Sequence, residues 1–281
     1  MSAMPAVGDG RQDRSGYELE FDEAFAGDVL DRSRWLPWYL PHWSSRAATE
    51  ARYAVGDGLL RLRIDEDTPA WSPEFDPGVR VSNLQTAVGS GPLGSGSGPH
   101  RFRSGLIVRE AQTPEIRYAP RHGLVEVRLA ASPDPRCLTA LWLIGLEDVP
   151  ERSGELCIVE LFGRDIGAGA SVVGLGIHPF GDPSLDDDVR RIACPFDASE
   201  AHDYAAAWEP GRTDWFIDGV HVASQAQAPD YPLQLMLDLY ELPGDHGPAA
   251  RIGPYPKEAV VHHVRGYRRQ DAGDERAGGR G

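Results

Sequence analysis

Residues 154–163 read Gly-Glu-Leu-Cys-Ile-Val-Glu-Leu-Phe-Gly, an apolar and β-branched run between two glycines that predicts a β-strand. Side chains of a regular strand alternate between the two faces of its sheet, so Glu155 and Glu160 would lie on opposite faces. One of those faces belongs to the core, where an unpaired carboxylate is very costly to bury. A single bulged residue near positions 158–159 removes this conflict. Such a bulge predicts that Glu155, Cys157 and Glu160 share one face, with apolar side chains on the other.

Two aligned carboxylates on an apolar-backed strand are typical of acid–base chemistry, because one can hold a proton while the other is ionised. Glycoside hydrolysis is the reaction that most often uses such a pair. The alternative is structural, since glutamates on a strand are commonly solvated or engaged in salt bridges. The spacing alone leaves both interpretations open.

The same stretch resembles the signature of glycoside hydrolase family 16, a family of retaining β-glucanases in which the bulged form reads Glu-x-Asp-x-x-Glu. The resemblance implies that Glu155 is the nucleophile and Glu160 the general acid/base of a two-step displacement. Cys157 stands at the position of the assisting Asp, which in the family hydrogen-bonds the nucleophile and tunes the proton balance. A thiol is a weak donor and is normally neutral near pH 7. Its presence therefore predicts lower proton affinity at both glutamates, a slower enzyme and a more acidic optimum.

Further segments resemble the family in the same order along the chain. They are residues 17–35, 121–129, 139–145, 202–219 and 260–267. Independently of that likeness, short strands recur between turn signals and no long helical period is present, which predicts an all-β sandwich. The resemblance covers roughly residues 17–268 and implies an all-β, concanavalin A-like β-sandwich (jelly roll) of two curved antiparallel sheets, with a sugar cleft on the concave sheet.

Six residues are candidates for substrate binding: Trp142, His178, Trp43, His42, Asn83 and Arg80. The resemblance places the first two in the strands that precede and follow the catalytic one. The next two belong to an aromatic loop, and aromatic rings can stack on the apolar faces of sugars. The last two lie in the Pro-, Gly- and Ser-rich segment 65–100, whose length favours a functional loop. The alternative for these aromatic and histidine side chains is a packed or hydrogen-bonded place in the core.

The composition limits the partners of the protein. The 281 residues carry a formal net charge of −15 with a sequence pI near 5.0, which argues against nucleic acid and anionic membranes as partners. A neutral polysaccharide is the expected partner. We expect no cofactor and no metal site, because the acidic triplet 186–188 lacks ligand spacing and the adjacent His262 and His263 face opposite ways.

The expected organisation is a flexible lead over residues 1–14, one β-sandwich domain over residues 15–269, and a disordered tail over residues 270–281. No apolar signal region precedes Gly16, and no stretch reaches the length of a membrane span. The three cysteines do not form a disulfide framework. The protein is expected to be either cytoplasmic or secreted by a signal outside this sequence. We also expect a monomer.

The sequence predicts a glycoside hydrolase that cleaves a β-linked polysaccharide, most simply a β-1,3- or β-1,3-1,4-glucan, by a retaining double displacement. A non-catalytic, lectin-like carbohydrate-binding module is the alternative from another class. Leu138 favours that alternative, because family members commonly carry a Trp at its position. A transglycosylase on the same scaffold would differ only in whether water or a sugar accepts the glycosyl group.

Overall fold

The computed structural model of the protein describes residues 10–244 and 253–270. Within these ranges the chain forms seventeen strands and two short 3-10 helices, Pro41–Trp43 and Gly163–Asp165. The strands are β1 (Tyr17–Glu23), β2 (Arg52–Gly56), β3 (Leu59–Ile64), β4 (Arg80–Gln85), β5 (Ala87–Val88), β6 (Glu115–Ile116), β7 (Gly123–Ala130), β8 (Cys137–Gly145), β9 (Glu155–Phe162), β10 (Ile166–Gly167), β11 (Ala170–His178), β12 (Asp188–Cys194), β13 (His202–Glu209), β14 (Arg212–Ile217), β15 (Val220–Gln225), β16 (Leu233–Glu241) and β17 (Lys257–Arg269).

Two large antiparallel sheets contain nearly all of these strands. The eight-stranded sheet has the order β15-β14-β13-β7-β17-β3-β2, and β1 also pairs with β17. The seven-stranded sheet has the order β10-β11-β9-β8-β16-β4, with β12 paired to β11. The fold is therefore the all-β jelly-roll sandwich that the sequence predicted, and the predicted catalytic strand β9 lies inside the seven-stranded sheet.

The main core fills the space between the sheets. In β3 the side chains of Leu60, Leu62 and Ile64 are fully buried while their neighbours are only half-buried, the alternation expected of a strand with one core face. They belong to one cluster with Leu237 and Leu239 of the opposite sheet. Burying one such side chain contributes roughly 1.5–3 kcal/mol, so the alternating pattern fixes the register of each strand.

A second apolar cluster covers part of the other face of the seven-stranded sheet, which we call the outer face. Here Trp43, Trp71 and Val108, from long connections, pack over Ile144 of β8 and Met236 of β16. Strand β16 is consequently buried along its whole length. Because connections cover β16 and β8, the open part of the outer face lies toward β9 and β11.

The ends of the described chain are tied to the domain. Residues 10–14 were expected to be a flexible lead, but the backbone N–H of Gln12 donates to the carbonyl of Gly219 at 2.8 Å. The guanidinium of Arg14 also pairs with the buried carboxylate of Glu126. At the other end, the N–H of Gln270 donates to the carbonyl of Gly16. The remaining predictions for residues 1–9 and 271–281 lie outside the described residues.

Three cysteines are buried as free thiols: Cys137, Cys157 and Cys194. Burial raises the pKa of Cys137 to about 12 and that of Cys194 to about 11, so both remain neutral thiols. No helix in the described part of the chain has the length and apolar character to cross a membrane.

Candidate active site

The predicted bulge is present in β9. On β8, Leu141 pairs with Val159 while the next residue, Trp142, pairs with Cys157, so Ile158 is the extra residue. The pairing with β11 skips the same residue, because Gly174 faces Glu160 and Gly176 faces Cys157. The prediction of a bulge at positions 158–159 is confirmed.

The bulge restores the alternation on both of its sides. Leu156 and Leu161 point into the main core, while Glu155 and Glu160 lie on the outer face with Cys157 between them. Glycine on β11 makes room for this arrangement: a Cβ on Gly174 would lie 3.2 Å from Oε2 of Glu160. Two carboxyl groups therefore share one surface of the sheet, as the chemistry of a paired acid and base requires.

A hydrogen bond across the sandwich supports the bulge. The indole Nε1–H of Trp215, on β14 of the opposite sheet, donates to the carbonyl oxygen of Cys157 at 2.8 Å. Trp215 is fully buried. Since a bulge disturbs the regular ladder, this donor supplies a partner to a carbonyl that would otherwise be costly to bury.

Glu155 lies in a dry environment. Its side chain is only 9% exposed, and its Oε2 is 4.0 Å from Nδ1 of His100. Burial raises the pKa of Glu155 well above its ordinary value, and the nearby carboxylates of Glu160, Asp238 and Asp187 act in the same direction. A proton is therefore held readily at this carboxyl.

Glu160 is more accessible than Glu155. Burial raises its pKa too, but His178 and Arg191 act in the opposite direction by favouring the charged form. Cys157, which lies between the two glutamates, is fully buried, and its thiol pKa is raised well above the usual range by burial and by both carboxylates. The thiol is thus neutral, as expected from the sequence. Burial shifts the pKa values of both carboxyl groups upward from their ordinary value, and the effect of Cys157 relative to an Asp at the same position stays a prediction.

Trp142 connects the site to the neighbouring strand. Its Nε1–H donates to Oδ2 of Asp238 on β16 at 2.6 Å, and its ring centroid is 5.0 Å from that of His100. Asp238 is fully buried, and burial raises the pKa of its carboxyl despite hydrogen bonds from Trp142 and Tyr240. Asp238 therefore places a third carboxyl group near the pair, from a strand that carries no part of the motif.

His178 lies at the end of β11, directly across from Glu155. Its imidazole Nδ1 is 3.0 Å from Oδ1 of Asp187, and its side chain is 35% exposed. The ring therefore lies close to Glu155, and its contact with substrate stays a prediction. The exposed ring of Phe180 lies next to it, with centroids 5.9 Å apart, and 5.0 Å from the ring of His100.

Four predicted substrate-binding residues are buried in structural contacts. Ring nitrogens of His42 and Trp43 both lie 2.9 Å from the carbonyl oxygen of Pro99. Arg80 forms a buried ion pair with Glu241, and the amide of Asn83 donates to the carbonyl of Trp38. All four side chains are at most 3% exposed. These residues fasten loops and strands through contacts within the chain, and their direct contact with sugar stays a prediction.

The sequence analysis did not identify His100 and Phe180 as site residues. His100 follows a Gly- and Ser-rich segment and has a positive φ of 60°, and Phe180 has a φ of 44°. Neither His100 nor Phe180 lies in a segment with the hydrophobic periodicity of a strand. Asp238 did have a signal, because it lies on the face of β16 opposite the alternate leucines, a face that the sequence predicts to border the cleft. Among the described residues, no group of three or more His, Cys, Asp and Glu side chains is arranged to hold a metal ion.

A bulged strand with two outer-face carboxyl groups carries the kind of carboxyl pair that glycoside hydrolysis uses. Residues 110–241 match the model of the family described as "Glycosyl hydrolases family 16". This segment contains both glutamates, and its match agrees with the family that its motifs predicted. No curated protein matches the chain in sequence.

Solved structures with a similar fold include three glycosidases. The chain is similar to the GlcNAcα1-4Gal releasing endo-β-galactosidase of Clostridium perfringens, with 25% identity, a TM-score of 0.78, and coverage of 95% of this chain and 66% of that one. It thus spans slightly less than two thirds of that protein. The laminarinase of Flavobacterium sp. UMI-01 gives 15% identity and a TM-score of 0.62, covering 89% of this chain and all of that one. The endo-β-1,3-glucanase of Pyrococcus furiosus gives 16% identity and a TM-score of 0.60, covering 94% of this chain and 98% of that one. The last two likenesses concern the fold.

Proposed function

We propose that the protein is an endo-acting glycosidase that cleaves a β-linked polysaccharide with retention of configuration. The observation that carries the proposal is the bulge at Ile158, which brings Glu155 and Glu160 to one face beside an open edge of the outer face. A lectin has no need of two carboxyl groups held on one strand, whereas a double displacement requires both. The separation that suits retention is about 5–5.5 Å between the carboxyl groups.

The reaction has two steps. In the first, the carboxylate of Glu155 attacks the anomeric carbon, the glycosidic C–O bond breaks, and the carboxyl group of Glu160 gives its proton to the leaving oxygen. In the second, the carboxylate of Glu160 takes a proton from water, whose oxygen attacks the same carbon and releases Glu155. Two inversions at one carbon give overall retention.

The protonation of the pair determines when the first step can occur. Burial favours a proton on Glu155 in the free protein, but attack requires this carboxyl to be ionised while Glu160 keeps its proton. Such a coupled pair titrates as a unit. The acid limb of the pH–activity profile is therefore expected above the ordinary carboxyl range, though lower than in the same site with an Asp at position 157, because Cys157 adds no negative charge.

Two substrate classes are candidates. A β-1,3- or β-1,3-1,4-glucan is the class that the sequence motifs favoured. A galactose-containing glycan is the second, supported by the 25% identity with the endo-β-galactosidase over 95% of the chain. The exposed Phe180 beside His178 offers an aromatic surface on which a sugar of either class can stack.

The test is release of reducing ends from laminarin, lichenan, agarose and a glycan that ends in GlcNAcα1-4Gal. Wild type is compared with Glu155→Gln and Glu160→Gln, and with Glu209→Gln, a surface control on β13. We expect activity on one class, a loss of at least about 10³-fold in Glu155→Gln, and no change in the control. Proton NMR of the first product must show the retained anomer.

The other two readings have distinct outcomes in the same experiment. Polysaccharide binding without release of any reducing end, in folded wild type, would replace the proposal by the lectin-like module. Products longer than the substrate would instead indicate a transglycosylase. Inversion of the anomer would refute the roles given to Glu155 and Glu160 while leaving the glycosidase class intact.

A further inference from the structure

A closed-in cavity lies next to the two glutamates but contains neither of them. Its volume is about 420 Å³, within the range of small-molecule sites. One wall is the Gly- and Ser-rich segment 89–99, another is the connection 146–150 between β8 and β9, and the side chain of Gln234 on β16 forms part of its lining. The mechanism proposed above uses none of these residues.

The side-chain carbonyl of Gln234 has no hydrogen-bond partner among the described residues. Its side chain is 1% exposed, and its Oε1 accepts no hydrogen bond from any described residue. Its Nε2 has only a weak contact, 3.7 Å from the sulfur of Met236. A buried carbonyl without a donor is costly, so its presence beside a cavity points to a ligand that supplies a donor.

The cavity and the catalytic strand share one row of the sheet. Gln234 pairs with Ile144 of β8, and Ile144 pairs with Glu155 of β9. Directly opposed residues of antiparallel strands point to the same face, and two strand spacings separate their Cα atoms by roughly 10 Å. A group bound at Gln234 is therefore beside the reacting sugar rather than in its place.

The wall of the cavity is held in place before any ligand arrives. The backbone N–H of His100 donates to Oε1 of Glu147 at 2.6 Å, which closes the Gly- and Ser-rich segment onto the β8–β9 connection. Both residues have positive φ values, 60° and 48°, a backbone strain that is usually kept at functional sites. His42 and Trp43 hold the neighbouring carbonyl of Pro99. A preformed wall lowers the entropic cost of binding.

The lining selects a neutral ligand. Pro99, Ile116 and Leu146 contribute apolar surface, and the single cation Arg101 is opposed by Glu147 and by Asp148. The net charge of −15 also disfavours an anionic group. We propose that this cavity binds a neutral sugar unit attached to the polysaccharide, with a hydroxyl or acetamide N–H donated to Oε1 of Gln234. This proposal rests on the proposed function, whose site it extends.

The test measures binding of single sugars, not turnover. Glucose, galactose and N-acetylglucosamine are titrated separately against Glu155→Gln protein, followed by saturation-transfer NMR and by calorimetry. We expect dissociation constants of about 1–10 mM for at least one of them. In the double variant with Gln234→Leu, the dissociation constant should rise about fivefold, which corresponds to the loss of one hydrogen bond. Its thermal stability should equal or exceed that of the Glu155→Gln parent. Preference for N-acetylglucosamine over the other two assigns the donor to the acetamide; equal binding assigns it to a hydroxyl.

Two further variants make the result specific. Gly96→Leu should also abolish binding, because it adds bulk to the cavity lining at a position where a Cβ meets only ordinary contacts, 3.6 Å from the nearest atom. Gln85→Leu is the matched control: Gln85 lies in the same sheet, is 1% exposed, and its Oε1 likewise accepts no hydrogen bond within the described chain, but it does not line the cavity. The Gln85→Leu variant should bind the sugar as tightly as the Glu155→Gln parent does.

Two outcomes would overturn the inference. One is that none of the three sugars binds. The other is that Gln234→Leu and Gln85→Leu weaken binding equally, which would mean that Gln234 acts only through the packing of the sheet. Failure of the proposed hydrolysis is separate, because it is detected by reducing ends from wild type and leaves these titrations unchanged.

Discussion

The hydrogen bond between Trp215 and the bulge gives the sharpest test of how the fold builds the site. Trp215→Phe removes the indole N–H that donates to the carbonyl of Cys157 at 2.8 Å, in a place with no exposed surface. The unpaired carbonyl costs about 1–3 kcal/mol, and the smaller ring adds roughly 1 kcal/mol for lost packing. We expect a loss of about 2–4 kcal/mol in the free energy of unfolding, measured by urea denaturation.

The same change should affect catalysis in the molecules that remain folded. Without its donor the bulge at Ile158 is less well fixed, so Glu155 and Glu160 lose their alignment. We expect kcat to fall about 10- to 100-fold with little change in KM, because the loss concerns the reacting groups and not the cleft. Hydrogen exchange should also speed up at the amides of β9.

Trp208→Phe is the matched control. Trp208 is also buried in the eight-stranded sheet, on β13, and its Nε1–H donates to the carbonyl of Arg121 at 2.8 Å. It should lose a similar amount of stability but keep kcat and the exchange rates of β9. Equal loss of kcat in the two variants, per folded molecule, would refute the idea that Trp215 supports the bulge.

Three further predictions concern protonation. Glu155→Gln should raise the melting temperature at pH 7 and have less effect at pH 4, because a carboxyl whose folded pKa is raised loses stability as pH climbs past its ordinary value of 4.5; an equal shift at both pH values would contradict this, and calorimetry measures it. Cys157→Asp should move the pH optimum of activity upward, because a third charge raises the proton affinity of Glu155 and Glu160; an unchanged optimum in the pH–rate profile would count against a role for this position. Glu147 has its pKa raised to about 7 by burial, although the N–H of His100 acts against this. The melting temperature of Glu147→Gln relative to wild type should therefore increase from pH 5 to pH 8, and a flat difference across that range would show that the carboxyl titrates normally.

The strand that carries the chemistry could be predicted in detail from the sequence. The conflict between an alternating strand and two glutamates five positions apart admits few solutions, and the bulge at Ile158 is one that keeps apolar residues inward. Turn residues and alternating patterns likewise define the strands of both sheets. These features depend on neighbouring residues and are therefore encoded locally.

The walls of the site could not be predicted in this way. Trp43 was expected to face a sugar, but its burial depends on the carbonyl of Pro99, more than fifty positions away. The ion pair of Arg80 with Glu241 spans 161 positions. His100 lies close to Glu155, but it belongs to a long connection that has no hydrophobic periodicity from which its position could be predicted. Such contacts are decided by tertiary packing, and a residue's type alone does not reveal them.

The three buried thiols have a practical consequence. Each is enclosed by the core or by the sheet, so the native molecule offers no reactive thiolate to an oxidant or to an alkylating reagent. None of the three takes part in a disulfide bond in this fold. Because Cys137, Cys157 and Cys194 become reactive only when the sandwich opens, the rate at which a thiol reagent labels them reports how often this domain unfolds.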